Sequence, residues 1–252
     1  MERLDGARQS YDWGSTTAIP EMLGLEPDGA PWAEQWYGAH PAGPTRLADG
    51  RTLAALLASD PDRLLGEDVV RRFGPQLPFL LKVIAPDRAL SLQVHPSLEQ
   101  AARGFEQENA EGVAPDSPVR SFKDSNHKPE MVLALTRFEA VAGFRAPRRA
   151  AEVLGGLDSP PARRMRRTLR LNPTRFGIRQ AFTELVCADT RPEASEMAEL
   201  VAEISRRLAE GRSPSRRVDA NVVEMARAFP HDPGIAAALA DQIGRASCRE
   251  RV

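Results

Sequence analysis

Cysteine is scarce in this sequence, and long apolar runs are absent from it. Only Cys187 and Cys248 occur among the 252 residues, which argues against a disulfide framework and fits a reducing compartment. No run of ~18 apolar residues occurs, and the charged start Met1–Asp5 lacks the apolar segment of a signal peptide. We therefore predict a cytoplasmic protein without a membrane span.

An excess of charge of one sign and a glycine-rich phosphate loop are also missing. The 34 Lys and Arg residues nearly balance the 35 Asp and Glu residues. The resulting net charge of −1 gives no reason to expect nucleic acid or an anionic membrane as a partner. A bound phosphate would have to be held by side-chain donors and ammonium groups. We predict a monomer whose partner is a small molecule.

Lysine is the rare basic residue of this chain. Only three of the 34 basic residues are lysines, at positions Lys82, Lys123 and Lys128. Near a substrate, a compact and flexible ammonium group is not interchangeable with a guanidinium group. The three lysines therefore point to one functional segment, and chance clustering of three residues is the alternative interpretation.

The pattern of the chain changes near residue 146. Before it, turns rich in glycine, proline and aromatic residues predict short strands, with short helices such as Thr52–Leu57. After it, apolar residues recur at helical spacing in two stripes: Met197, Leu200, Val201, Ile204 and Leu208, then Val218, Val222, Met225 and Phe229. We predict a mixed fold of strands and helices, with a β domain at residues 1–145 and a helical subdomain at residues 146–242.

A candidate metal site lies in the first of these regions. Leu77–Ala85 and Ala89–His95 are predicted as two buried strands joined by a turn, and Glu130 opens a further strand that runs to Leu135. Side chains two residues apart leave a strand on the same face, so Gln93 and His95 can reach one ion together. Oxygen and nitrogen ligands without thiolate suit Zn²⁺ in an open site. Lewis-acid catalysis is the predicted chemistry.

Each of these residues also has an ordinary structural interpretation. Gln93 and His95 alone are typical of a hydrogen-bonded pair. Glu130 alone is typical of a solvated carboxylate, and Lys128 of a surface lysine. The metal interpretation rests on the combination, because Pro129 fixes the backbone before Glu130 and suits a rigid ligand.

Five motifs, in this order, carry a resemblance to a known family. They are Tyr11-Asp12-Trp13-Gly14-Ser15, Ala33-Glu34-Gln35-Trp36-Tyr37-Gly38-Ala39-His40-Pro41, Leu77-Pro78-Phe79-Leu80-Leu81-Lys82, Leu90-Ser91-Leu92-Gln93-Val94-His95-Pro96 and Asn126-His127-Lys128-Pro129-Glu130. The set resembles type I mannose-6-phosphate isomerase. The resemblance is strong over residues 10–145 and looser over the helical segment.

The resemblance implies a zinc-dependent aldose–ketose isomerase built on a cupin-type jelly roll with an inserted helical domain. It implies Gln93, His95 and Glu130 as Zn²⁺ ligands. Lys82 and Ser91 would contact the phosphate of a sugar phosphate, the small-molecule partner. Lys128 would act as a catalytic residue at C1 and C2, where a proton moves through an enediol.

The chain departs from the family pattern in one respect. The family's fourth ligand is a histidine in a Thr-Pro-His segment that would lie beyond the end of this sequence. His231 lies in a loop that the family also has, and is not predicted to replace it. We expect residues 243–252 to be a non-native tail and the chain to be C-terminally truncated.

Three functional interpretations stay open at this point. The first is the isomerase itself, and the second is a non-catalytic cupin-type protein that binds a metal or a sugar phosphate. The third is an inactive fragment of the enzyme. Redox metal chemistry is the least favoured, because such sites usually use two or three histidines and this one offers one.

Overall fold

A computed structural model describes residues 3–246, with the backbone alone for residues 241–246. The chain divides into two compact units, Met1–Leu90 and Ser91–Val252. The mixture of strands and helices predicted from the sequence is confirmed. The predicted domain limits, 1–145 and 146–242, differ from this division and stay predictions.

The first unit is built around short antiparallel strands. Its strands are β1 (Leu4–Asp5), β2 (Ala7–Gln9), β3 (Glu34–Tyr37), β4 (Arg46–Leu47) and β5 (Leu81–Ile84). Strand β3 is central in a three-stranded sheet of order β2-β3-β5, in which Trp36 is opposite both Ala7 and Lys82. Strands β1 and β4 form a separate pair. This register brings the side chains of β3 and β5 next to each other.

Four short helices complete the first unit. They are α1 (Ala18–Met22), α2 (Leu53–Ser59), α3 (Pro61–Leu65) and α4 (Glu67–Phe73). Helix α2 begins where the sequence predicted it, because the hydroxyl of Thr52 accepts a hydrogen bond from the N–H of Ala55 and caps the helix. Ile19, Leu47 and Leu57 are buried in this unit.

The second unit is mostly helical. Its elements are α5 (Leu98–Ala110), β6 (Phe138–Phe144), α6 (Pro147–Val153), α7 (Pro160–Leu171), α8 (Arg175–Val186), α9 (Ala194–Ala209), α10 (Arg216–Ala228), α11 (Gly234–Ala237) and β7 (Asp241–Ala246). Helices α6 to α11 share one apolar core, to which Met197, Leu200 and Ile204 of α9 and Val218 and Val222 of α10 contribute fully buried side chains. Both helical stripes of the sequence are confirmed.

A buried ion pair joins α9 to α10 inside this core. The guanidinium of Arg207 donates two hydrogen bonds to the carboxylate of Asp219, from Nε at 2.7 Å and from Nη2 at 2.5 Å. Its Nη1 donates to the carbonyl oxygens of Val153 and Gly155, so that the pair also holds the end of α6. Almost every polar atom of the two side chains is therefore satisfied, which the burial of a charged pair requires.

The prediction of two strands in the metal-binding region is wrong. Neither Ala89–His95 nor residues 130–135 form a strand in the described part of the chain. Strand β5, the predicted hairpin partner, pairs with β3 instead. Backbone N–H and C=O groups stabilise a strand only when a neighbouring strand pairs with them. The expected burial of alternate residues also fails, because Leu92 is 44% and Val94 is 75% exposed.

The end of the described chain forms a strand. Residues 243–252 were predicted to be a non-native tail, which stays a prediction; Gly244, Arg245 and Ala246 of that segment belong to β7, which pairs antiparallel with β6. The remainder of that segment, residues 247–252, lies outside the described residues. In residues 3–246, no helix combines the length and apolar character needed to cross a membrane.

Candidate active site

His95 and Glu130 lie next to each other in the second unit. His95 is two residues before Ser97, the N-cap of α5, and Glu130 belongs to the long irregular segment between α5 and β6. The Nε2 atom of His95 is 3.9 Å from Oε1 of Glu130. The imidazole is one-third exposed and the carboxylate just over half exposed. Two potential ligand atoms from distant parts of the sequence are thus close together, and both side chains are accessible to solvent.

The remaining predicted ligand and one predicted substrate contact precede His95. Gln93 and Ser91 are both exposed and lie in the same irregular segment as His95. The strand geometry that would place all three on one face is not formed, so their common orientation stays a prediction. Among the described residues, no group of three or more His, Cys, Asp or Glu side chains could hold a metal. A site made of Gln, His and Glu contains only two residues of those types.

Helix α5 begins directly after the histidine segment, and its start is well defined. The hydroxyl of Ser97 accepts a hydrogen bond from the N–H of Gln100, and the side chain of Gln100 accepts one from the N–H of Ser97. This reciprocal capping box satisfies two N–H groups that the helix leaves without intrahelical partners. It fixes the position of the backbone two residues after His95.

Lys128 lies close to a carboxylate in the segment that carries Glu130. Its Nζ atom is 3.2 Å from Oδ2 of Asp124, and about half of the lysine side chain is exposed. Asp124 also accepts a hydrogen bond from the backbone N–H of Asn126. The ammonium group is thus held near the turn that precedes Glu130, although it can still reach a ligand from solvent.

Lys82 lies in the first unit, on strand β5 opposite Trp36 of β3. Its Nζ atom is 3.6 Å from Oε2 of Glu34 and 4.8 Å from the centre of the Trp36 ring. The side chain of Glu34 is only 10% exposed, and Oε2 also accepts a hydrogen bond from Nε1 of Trp36. A buried carboxylate and an aromatic face therefore orient an ammonium group that remains 38% exposed.

Glu34 is a residue that the sequence reasoning did not select. Its charge also affects Tyr11, because burial of the phenol and then the negative charge of Glu34 raise the pKa of Tyr11 above its usual value. The sequence contained one signal for it, a carboxylate two residues before the aromatic pair Trp36-Tyr37, because a charged residue is rarely buried without a partner. The neighbouring lysine was visible, but the pairing of β3 with β5 was not.

The other three histidines were not predicted as metal ligands. His40 packs edge-on against Trp36, with ring centres 5.1 Å apart, and its Nδ1 accepts a hydrogen bond from the N–H of Ala42. His231 has a positive φ of 66° in the turn before α11. His127 is exposed in the segment before Glu130.

The family model for the catalytic domain of type I phosphomannose isomerase matches residues 1–147. The chain belongs to this family. The match ends close to the change of pattern at residue 146 and includes every candidate site residue from Lys82 to Glu130. The resemblance carried by the five sequence motifs is confirmed.

Curated phosphomannose isomerases agree with this assignment. The mannose-6-phosphate isomerase of Escherichia coli (strain K12) is 45% identical over 150 residues, which are 58% of this chain and 38% of the relative. The mannose-6-phosphate isomerase of Mus musculus is 39% identical over 150 residues, which are 54% of this chain and 33% of the relative. The chain thus matches about a third of the length of these proteins.

Solved structures extend the likeness over the helical part. The mannose 6-phosphate isomerase of Salmonella typhimurium, bound to substrate (fructose 6-phosphate) and zinc, has a TM-score of 0.83 and 31% identity. The apo form of the Salmonella enzyme has a TM-score of 0.85 and 30% identity. Each comparison covers 100% of this chain and 62% of the solved chain.

Proposed function

We propose that this chain carries part of the active site of a zinc-dependent mannose-6-phosphate isomerase, which interconverts mannose 6-phosphate and fructose 6-phosphate through an enediol. The observation that carries the proposal is the approach of His95 Nε2 to Glu130 Oε1 at 3.9 Å within a chain of this family. We also propose that the strands belong to an incomplete cupin-type jelly roll. A cytoplasmic location and a monomeric state stay predictions.

The donor set fits zinc. Zinc lies about 2.0–2.2 Å from imidazole nitrogen and carboxylate oxygen, so two ligand atoms of one ion are at most roughly 4.4 Å apart. The separation of 3.9 Å lies within that limit. We propose His95, Glu130 and Gln93 as ligands, with Gln93 supplied by the same segment as His95. When bound, the ion would act as a Lewis acid that stabilises negative charge on the C1 and C2 oxygens of the sugar.

Lys128 is the proposed catalytic residue of this chain. It lies two residues before Glu130 in the same irregular segment, which supports placing it near the same sugar oxygens. We propose that Lys128 donates a hydrogen bond or a proton to the oxygen at C1 or C2 while a proton moves between these carbons. Asp124, at 3.2 Å from Nζ, would hold the ammonium group in place until the substrate arrives.

Lys82 and Ser91 are the proposed phosphate contacts. An exposed ammonium group and a hydroxyl are the donors that a phosphate needs where no glycine-rich loop supplies backbone N–H groups. Support for Lys82 comes from its orientation by Glu34 and Trp36, because an ordered ammonium group loses less conformational entropy when it binds an anion.

Metal removal tests the proposed function directly. We expect the complete protein to lose isomerisation of mannose 6-phosphate after exhaustive chelation and to regain it when Zn²⁺ is added. Mg²⁺ at the same concentration is the control and should restore less, since it prefers octahedral oxygen ligands to imidazole. Undiminished turnover in the chelated protein would refute the zinc mechanism.

A substitution tests the phosphate contact. Lys82→Met keeps most of the apolar side chain and removes the charge, so the KM for mannose 6-phosphate should rise by about tenfold or more. Weak turnover of unphosphorylated mannose should change much less. An equal loss for both sugars would mean that Lys82 packs against Trp36 without binding phosphate.

The 252-residue chain by itself is expected to have less activity than the longer relatives. It spans 38% of the Escherichia coli relative and 62% of the Salmonella structure. The family resemblance implies a fourth ligand that this sequence does not contain. We therefore propose that this chain alone binds zinc weakly and turns over little substrate, which zinc stoichiometry and an isomerase assay on the purified chain would test.

A further inference from the structure

Arg120 is the most deeply buried charged group in the segment between α5 and Glu130. Its side chain is 0% exposed. Nε donates to the carbonyl oxygen of Phe122 at 2.8 Å, Nη1 to that of Val113 at 2.5 Å, and Nη2 to Oδ1 of Asn109 at 2.7 Å. One guanidinium group thus joins the last turn of α5 to two points of the irregular segment that follows it.

Glu108 of α5 contacts the same irregular segment, at Ser121 and Phe122. Its Oε1 accepts a hydrogen bond from the N–H of Ser121 at 2.9 Å, and its Oε2 accepts one from the N–H of Phe122 at 2.8 Å. Oε2 is also 3.7 Å from Nε of Arg120. The hydrogen bond from Ser121, then that from Phe122 and the charge of Arg120, hold the pKa of Glu108 below its usual value despite partial burial.

Aromatic packing completes the contact. The ring of Phe122 lies against Gly104 of α5 so closely that a Cβ atom there would be 2.5 Å from the ring. The guanidinium of Arg120 is 5.0 Å from the centre of the Phe105 ring. We call Arg120, Glu108 and the backbone of Ser121 and Phe122 the α5 clamp.

The α5 clamp lies on the path between the two proposed metal ligands. Helix α5 is 13 residues long, hence about 20 Å, and it starts just after His95. The chain must return from the far end of this helix to bring Glu130 within 3.9 Å of His95. The return runs through a segment, residues 111–137, without helix or strand. Irregular segments of this length are uncommon in compact domains and are usually functional where they are ordered.

We propose that Arg120, acting through Glu108 and the backbone of Ser121 and Phe122, is a positioning residue that holds Lys128 and Glu130 in register with His95. Arg120 touches neither metal nor substrate in this role. It fixes the backbone eight residues before Lys128 and ten residues before Glu130. This anchor limits the positions that both residues can take relative to His95. The role in metal binding rests on the proposed function, whereas the tethering does not.

Two substitutions in the complete protein test the proposal. Arg120→Lys keeps the positive charge, but an ammonium group cannot bridge the three acceptors in a fixed plane. Glu108→Gln keeps the size of the side chain but removes one of the two oxygens that accept hydrogen bonds from the backbone. We expect Arg120→Lys to raise hydrogen–deuterium exchange of the backbone amides of residues 121–130 by about tenfold or more. We expect zinc affinity, measured by competition with a chelator, to fall by roughly 10-fold as well. Glu108→Gln should change both in the same direction by a smaller factor.

Arg207→Lys is the matched control. Arg207 is an equally buried arginine that pairs with Asp219 and two carbonyl oxygens, but it lies in the helical core. Its substitution should raise amide exchange in α9 and α10 and leave both residues 121–130 and zinc affinity unchanged. A merely structural role for Arg120 would raise amide exchange around Arg120 but, as in this control, leave zinc affinity unchanged.

The outcomes separate the proposal from the proposed function. Unchanged exchange of residues 121–130 in Arg120→Lys would overturn the proposal, and so would increased exchange with full zinc affinity. A wild-type protein that takes up no zinc would refute the proposed metal site, and the exchange data would then decide on the tethering by themselves. If Arg120→Lys does not fold, amide exchange of residues 121–130 and zinc affinity in Glu108→Gln decide on the proposal.

Discussion

The helical part of the second unit and the segment around His95 use their apolar residues in opposite ways. Leu200 and Val222 are completely buried in the helical core, whereas Val94 and Met131 are 75% and 77% exposed beside the proposed ligands. A helix satisfies its backbone hydrogen bonds internally and needs only one packed face. A strand also needs a neighbour for its backbone. This difference accounts for the burial of apolar side chains in the first region and their exposure in the second.

The longer relatives suggest what the second region needs. This chain spans 62% of the Salmonella structure. We infer that residues 89–95 and 130–135 become strands when neighbouring strands from a longer chain pair with them. The apolar side chains of Leu92, Val94, Met131, Leu133 and Leu135 would then be covered. The same pairing would impose the common face of Ser91, Gln93 and His95.

The largest expected effect is a loss of stability in the helical core. Arg207→Met should destabilise the second unit by about 3–5 kcal/mol, because it leaves the carboxylate of Asp219 buried without its cation. Chemical denaturation followed by circular dichroism measures the loss. Arg206→Met, on the exposed face one residue earlier, is the control and should change stability by less than about 0.5 kcal/mol. A similar small change for both would mean that the buried pair contributes little to the core.

The next largest expected effect is a loss of zinc affinity without a loss of stability in the helical core. Glu130→Gln keeps the shape of the side chain but removes the charge, so zinc affinity in the complete protein should fall by more than about 100-fold, which is about 2.7 kcal/mol. Its unfolding free energy without metal should stay within about 0.5 kcal/mol of the wild type, because the carboxylate is exposed. Calorimetric titration with zinc provides the measurement. Unaltered affinity would remove Glu130 from the ligand set.

The sequence predicted the helices better than the site. Helices α2, α9 and α10 follow from the local spacing of apolar residues. The strands at Ala89–His95 and 130–135 were predicted from the local sequence pattern, whereas their formation depends on distant partners that such a pattern does not reveal. The approach of His95 to Glu130 was predicted from motif order. The pairing of Lys82 with Glu34 and the role of Arg120 were not, since both depend on contacts between residues far apart in sequence.

Acid pH offers a test of the α5 clamp without mutation. Because the pKa of Glu108 is lowered in the folded protein, its ionised form contributes stability that is fully present above the unfolded value, about 4.3. That contribution is lost as the pH falls through the lower folded value. Amide exchange of residues 121–130, corrected for intrinsic rates, should therefore rise below about pH 4. Glu108→Gln should lack this transition, and a transition of equal size in the variant would assign it to another carboxylate.

The smallest expected effect concerns the exposed apolar residues themselves. Val94→Thr should change the stability of the 252-residue chain by less than about 0.5 kcal/mol, because the side chain is already in solvent. Leu200→Ala, which opens a cavity in the helical core, should cost about 2–5 kcal/mol in the same assay. Val94→Thr should nevertheless slow aggregation of this chain, since exposed apolar side chains beside unpaired backbone promote association. In the longer protein the same substitution should cost more than about 1 kcal/mol if Val94 becomes covered there. Equal costs in the two proteins would mean that this segment remains exposed in both, and that the two regions differ for a reason other than missing partner strands.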